Sequence, residues 1–180
     1  MTGLPAKIVR LHESLDRAGL PHAFGGALAL AWCTERARGT IDIDVNVFVG
    51  VDRVDDVVEA LPRKVAVPEE SRVQLVREGQ ARLWWDGTPV DVFLDTTEFH
   101  HQAADRARWE DFGGTLLPFL SCADLAVFKA FFDRTKDWAD LEDMAATGSL
   151  DADRVIGVLV RYLGADDPRV GKVLALSNGG

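Results

Sequence analysis

Residues 38–49 read RGTIDIDVNVFV, and the fold turns on them. Ile41, Ile43, Val45 and Val47 alternate with Asp42, Asp44, Asn46 and Phe48. In a strand, successive side chains point to opposite faces. The alternation predicts a strand from about Thr40, with an apolar side backing Asp42 and Asp44 on the other. Aspartate is a poor strand residue, and like charges so close repel. The pair is either the wet side of an ordinary amphipathic strand or a place where cations gather. Repulsion and propensity favour the second reading.

Upstream, His22 to Phe24 reads as a short apolar strand, followed by Gly25 and Gly26 and then ALALAWCTERA, a helix running to near Gly39. Downstream, ARLWWDGTPVDVFLD (81–95) holds Asp86-Gly87 between apolar runs, a strong hairpin signal. In its second arm Val90, Val92 and Leu94 face one way, and Asp91 and Phe93 the other. Trp84 and Trp85 fall on opposite faces, one for the core and one open to a cleft. Each feature has a use in phosphate chemistry. Glycines let backbone N–H groups approach a phosphate, and a helix N-terminus favours negative charge. Strand carboxylates can share divalent metals, and two metals can clamp the attacking and leaving oxygens of an in-line displacement. Mg²⁺ prefers a few carboxylates plus substrate phosphate oxygens.

The remaining pattern predicts a first helix on Ile8, Leu11 and Leu15, a helix over 52–61, a short strand at 65–67, and strands from 72 to 95 around the tight turn. A polar helix over 98–108 carries His100 and His101, read as solvated. A last strand covers 115–120. Ser121 with Asp124 resembles a capping box before an apolar helix, 125–132. Three further helices follow, closing at Gly148, Leu163 and Leu176. Strands and helices mix up to about residue 120, and only helices follow. The expectation is α/β (α+β): a mixed sheet flanked by helices over 1–120 with a helical C-terminal part over 121–180, or one domain throughout.

Bulk properties narrow the classes. Of 180 residues, 47% are hydrophobic, enough for a real core. The net charge of −9 and a pI near 4.9 argue against broad, non-specific nucleic-acid binding. The two cysteines, Cys33 and Cys122, sit in apolar, helix-like stretches and read as buried free thiols in a reducing cytoplasm. No leader-like apolar run opens the sequence, and no stretch is apolar enough to span a membrane.

AFGGALALAWCTERARGTIDIDVNVFV together with PVDVFLD resembles the nucleotidyltransferase fold superfamily: a Gly-Gly turn, a strand with alternating acids, then a third acid between apolar residues. The stretch Arg38-x-Thr40-x-Asp42-x-Asp44, with KAFFDRTKDWADL further on, is similar to AbiEii-type abortive-infection toxins of that superfamily. The likeness covers roughly residues 20–146. It implies a nucleotidyltransferase core, Mg²⁺ or Mn²⁺, and a nucleoside triphosphate. Asp42 and Asp44 match the metal-binding acids, and Asp91 the acid that binds a second metal or helps activate the acceptor. Gly25, Gly26, Arg38, Thr40, Lys129, Lys136 and Asp137 match nucleotide-binding positions. The helix after Gly-Gly departs from the toxins: Ala29, Leu30 and Ala31 stand where an arginine is common.

The expected reaction moves a nucleoside monophosphate to an acceptor and releases pyrophosphate. A toxin-like enzyme would modify tRNA or a protein and have a cognate antitoxin. A small-molecule enzyme would modify an aminoglycoside- or lincosamide-type antibiotic. A non-catalytic module of the same fold, binding a nucleotide or a partner, is the rival from another class.

Overall fold

The computed structural model describes residues 3–36 and 39–178. It divides into two compact units, Met1–Leu28 with Gly39–Leu120, and Ala29–Arg38 with Ser121–Gly180.

The first unit holds a seven-stranded sheet. Its strands are β1 (His22–Phe24), β2 (Ile43–Val47), β3 (Val65–Ala66), β4 (Gln80–Trp85), β5 (Thr88–Leu94), β6 (Arg108–Phe112) and β7 (Thr115–Phe119). Their order is β3-β4-β5-β2-β1-β7-β6. The sheet is mixed, as expected: β2 runs parallel to β5 and β1 to β7, and the other neighbours are antiparallel. β2 is therefore central, with three strands on each side.

Two side-chain rows explain why these residues form this sheet. On one face Ile43, Val90 and Leu83 line up across β2, β5 and β4, and Val45, Val92 and Ala81 form the next row. All six are buried. Burying such branched side chains fully is worth roughly 1.5–3 kcal/mol each, which fixes the register. The other face then receives Asp44, Asp91 and Arg82 in a single row.

The Asp86-Gly87 hairpin forms as predicted. Both residues have positive φ, +46° and +78°, the requirement of a two-residue turn that matches strand twist. Lys7 pins this turn from α1 (Leu4–Arg17). Its buried Nζ donates to the Trp85 carbonyl at 2.6 Å and to Thr88 Oγ1 at 2.8 Å.

Three local expectations need correction. The central strand begins at Ile43, not near Thr40, and Asp42 occupies the bend before it. Ile41 is 80% exposed and so does not extend the apolar face. The stretch 72–79 is not a strand but the body of α4 (Glu69–Glu78). The polar stretch after α5 (Glu98–Ala103) contains an edge strand, β6, paired with β7. Between β2 and β3 lies α3 (Val54–Ala60), in the predicted helical segment.

α2 (Gly26–Thr34) leaves the glycine pair. The second unit contains α6 (Cys122–Phe132), α7 (Thr135–Ala146), α8 (Ala152–Leu163) and α9 (Pro168–Asn178). The predicted capping box is present: Ser121 Oγ accepts the Asp124 N–H at 3.1 Å and donates to Asp124 Oδ2 at 2.7 Å. Cys33 and Cys122, read from sequence as free thiols, are joined in a disulfide with Cα atoms 5.5 Å apart. The end of α2 and the start of α6 bring them within bonding geometry, which no local pattern reveals. No described helix is long and apolar enough to cross a membrane.

Candidate active site

Asp44 sits against the glycine pair. The Gly25 N–H donates to the Asp44 carbonyl at 2.9 Å. Gly26 has φ +52°, and a Cβ there would lie 1.9 Å from Asp44 Oδ2. The Asp44 carboxylate thus occupies the side-chain space of Gly26, at the first residue of α2, where the helix dipole stabilises negative charge. Of the two glycines, Gly26 makes the room that Asp44 fills, while a Cβ on Gly25 would meet Asn46 and Leu120. Gly26→Ala should lower the urea-derived unfolding free energy by about 2 kcal/mol, because the left-handed conformation alone costs an L-residue roughly 1–2 kcal/mol. Asp44 must also shift. Unchanged stability would mean that the carboxylate does not need this space.

Parallel pairing sets Asp44 beside Asp91, and antiparallel pairing sets Asp91 beside Arg82. Arg82 grips Asp91 with a two-pronged fork: Nε to Oδ1 and Nη2 to Oδ2, each 2.7 Å. Its Nη2 also stands 3.8 Å from Asp42 Oδ2. Hydrogen bonding to Asp91, with the charges of Asp91, Asp42 and Asp44, raises the guanidinium pKa against a smaller desolvation effect. Arg82 is therefore permanently charged. Thr40 Oγ1 donates to Asp42 Oδ1 at 2.5 Å and orients that carboxylate from the bend.

The three acids predicted from sequence are thus gathered around one arginine that sequence reasoning missed. The signal was available. Arg82 lies four residues before Asp86 and Asp91 four after Gly87, so a two-residue turn makes them partners.

As they stand, the carboxylates do not fit a shared divalent ion. Among the described residues no three His, Cys, Asp or Glu side chains are placed to hold one. Both Asp91 oxygens receive Arg82 N–H groups, and Asp42 Oδ1 receives Thr40.

Asn46 and His100 support the site from behind. Asn46 is the next side chain after Asp44 on the same face of β2, and its Nδ2 would lie 3.1 Å from a Cβ on Gly25. Its Oδ1 is 3.1 Å from His100 Nε2. His100 was read as solvated but is only 4% exposed. Burial pushes its pKa down to about 4, so the ring is neutral near neutral pH. His101, by contrast, is exposed and pairs with Asp95. The tryptophans divide as expected: Trp85 is buried, and Trp84 is 49% exposed on the Arg82 side of β4.

The other predicted nucleotide-binding residues lie elsewhere in the chain. Arg38 falls outside the described residues. In the second unit Lys129 is 5% exposed. Its Nζ is 2.6 Å from Asp140 Oδ2 and 3.6 Å from Asp137 Oδ1. Arg134 reaches Asp137 through Nε at 2.6 Å and Nη2 at 3.2 Å. Asp137 and Asp140, three apart on α7, share the side of that helix that meets Lys129 of α6. Both aspartates are buried, and pairing offsets their desolvation. Lys136 is exposed.

No known family profile matches the chain, and no curated protein matches it in sequence. Solved structures do match. The antibiotic-resistance factor ANT(2'')-Ia in solution aligns over 97% of this chain and 89% of its own, with TM-score 0.55 and 15% identity. The fold is nucleotidyltransferase-like. ANT(2'')-Ia in complex with adenylyl-2''-tobramycin aligns over 98% of both chains, with TM-score 0.58 and 12% identity. An antigenic nucleotidyltransferase-like protein from Paracoccidioides brasiliensis aligns over 96% of this chain and 85% of its own, with TM-score 0.54 and 15% identity. At such identities the likeness establishes the fold alone.

Proposed function

We propose that the protein is a nucleotidyltransferase. It would move a nucleoside monophosphate from a nucleoside triphosphate to an acceptor and release pyrophosphate. The observation that carries this reading is the Asp44–Asp91 pair on adjacent parallel strands, with Asp44 packed on the Gly26 elbow of a nucleotidyltransferase-like fold. In the reaction an acceptor hydroxyl oxygen bonds to the α-phosphorus and gives up its proton. The bond from the α-phosphorus to the oxygen it shares with the β-phosphorus breaks, and pyrophosphate leaves with that electron pair. We assign Asp42, Asp44 and Asp91 to the reacting centre. A requirement for Mg²⁺ or Mn²⁺ belongs to this proposal.

For the acceptor we favour a cationic small molecule of the aminoglycoside class. The protein carries a net charge of −9. Exposed Trp84 offers a flat apolar surface on the face of β4 that carries Arg82. ANT(2'')-Ia, bound to adenylyl-2''-tobramycin in its complex, has the same fold. The toxin-like residues give less support for tRNA: Lys129 and Asp137 are tied up in buried ion pairs. We place the enzyme in the cytoplasm, where reducing conditions would oppose the Cys33–Cys122 bond.

The test is incubation with α-labelled triphosphates and Mg²⁺ or Mn²⁺ against separate panels of aminoglycosides, lincosamides, pooled tRNA and protein. Label on an aminoglycoside, with stoichiometric pyrophosphate, is the expected result. Label on tRNA or protein would move the protein to the toxin class and make an antitoxin its expected partner. Triphosphate binding with no transfer to any panel would make it a non-catalytic module.

A further inference from the structure

Away from the candidate site, two buried histidines face one another. We propose that His12 of α1 and His22 of β1 form a one-proton latch: the rings stay joined when neutral and when they hold one extra proton, and they part when they hold two.

Three observations carry this. First, the hydrogen bonds dictate the tautomers. The Leu20 carbonyl only accepts, so His22 Nδ1, 2.8 Å away, carries a proton. A neutral His22 therefore has a bare Nε2. His12 Nδ1 lies 2.9 Å from that nitrogen and supplies the proton between them. Both neutral rings are thus Nδ1–H. One further proton fits on His12 Nε2, whichever ring then holds the central one. A second would put an N–H on each of the two facing nitrogens, and these repel at that distance.

Second, the surroundings resist charge. His12 is 8% exposed and His22 7%. Burial lowers both pKa values below the ordinary 6.5. Asp16 and then Glu13 oppose this at His12. At His22 the Leu20 bond and Asp16 oppose it, and charge on His12 adds to it. The rings packed on the pair are uncharged: Trp109 of β6 stands edge-on to His12 at 6.0 Å, and Phe24 to His22 at 6.2 Å. Arg108 and Glu110, on either side of Trp109, pair with one another.

Third, the parted state has somewhere to go. A cavity of about 320 Å³ adjoins His22 and is lined by Asp16, Phe48, Trp109 and Pro118 among others. A cationic His22 that has lost His12 meets space for water there, and a carboxylate on the wall. What parts is a tie between α1 and the first residue of β1, the strand that runs into the glycine pair. Rings held neutral by burial stabilise the fold. That contribution is complete above 6.5 and is lost as the pH falls from the unfolded value through the folded ones.

The test is nitrogen NMR of the full chain with ring-labelled histidine, titrated from about pH 8 to about pH 4. At the alkaline end both His12 and His22 should be Nδ1–H. On acidification the pair should take up its protons in two separate steps, with amide exchange in α1 accelerating only in the second. This reading needs the parent protein alone. His12→Asn keeps an N–H donor near the Nδ1 position and cannot titrate. Its urea midpoint should fall less than the parent's over the same range, while His100, also held neutral by burial, acts equally in both. An Nε2–H tautomer on either ring at the alkaline end, uptake of both protons in one step, or equal midpoint shifts in parent and variant would each overturn the inference.

Discussion

Asp44→Asn is expected to lower nucleotidyl transfer about a thousandfold, ~4 kcal/mol of barrier, with the Tm within about 4 °C of the parent. The substitution keeps the shape that fills the space over Gly26. It removes only the charge. In the sheet Asp44 lies beside Asp91 in register, so the parent holds two carboxylates side by side on a partly buried face. Removing one relieves repulsion, and this offsets whatever the amide fails to reproduce at the start of α2. A shift of ~1 kcal/mol corresponds to roughly 2–4 °C for a chain of this size. Activity and stability should therefore separate. Circular dichroism melting and label transfer on the same preparation check both. Transfer within about tenfold of the parent would remove Asp44 from the reacting centre.

Reduction of the Cys33–Cys122 bond should give the largest loss of stability. The cysteines are 89 residues apart in sequence. A cross-link closing a loop of that length lowers the entropy of the unfolded chain enough to be worth about 4–5 kcal/mol in the loop-closure account. The closed loop contains, in sequence, every strand from β2 to β7. Urea unfolding with and without reductant, and of Cys33→Ser, should show this loss in both cases. If the protein as purified under air titrates with two free thiols, or if reductant leaves the urea midpoint in place, the bond contributes nothing in solution.

How much of this was legible in the sequence depends on how local each cause is. Asp42 and Asp44 could be read as a pair because a period of two is a local signal; Asp91 joined them only through the family resemblance, since the parallel pairing of β2 with β5 is not local. The start of β2 was misread because Ile41 continues the alternation although it faces solvent. Residues 72–79 were read with the strands around the tight turn. The helix-start signals before them, Pro68 and then Glu69 and Glu70 in the first turn, argue the other way. β6 was missed because an edge strand with exposed Trp109 and Arg108 has no buried face to give a pattern. His100 and the buried charges around Lys129 could not be placed, since their burial depends on residues distant in sequence or on a neighbouring helix. The disulfide is the extreme case: nothing within α2 or α6 points to the other.

The two-residue tip at Asp86 and Gly87 has a consequence of its own. Side chains in β4 alternate between water and core. One residue gained or lost at the tip would exchange these two sets against β5. Leu83 would come to rest opposite an acid, and the guanidinium would be driven among valines. The tip can therefore vary in composition, within what its backbone allows, far more freely than in length, and the chemistry two strands away depends on that length.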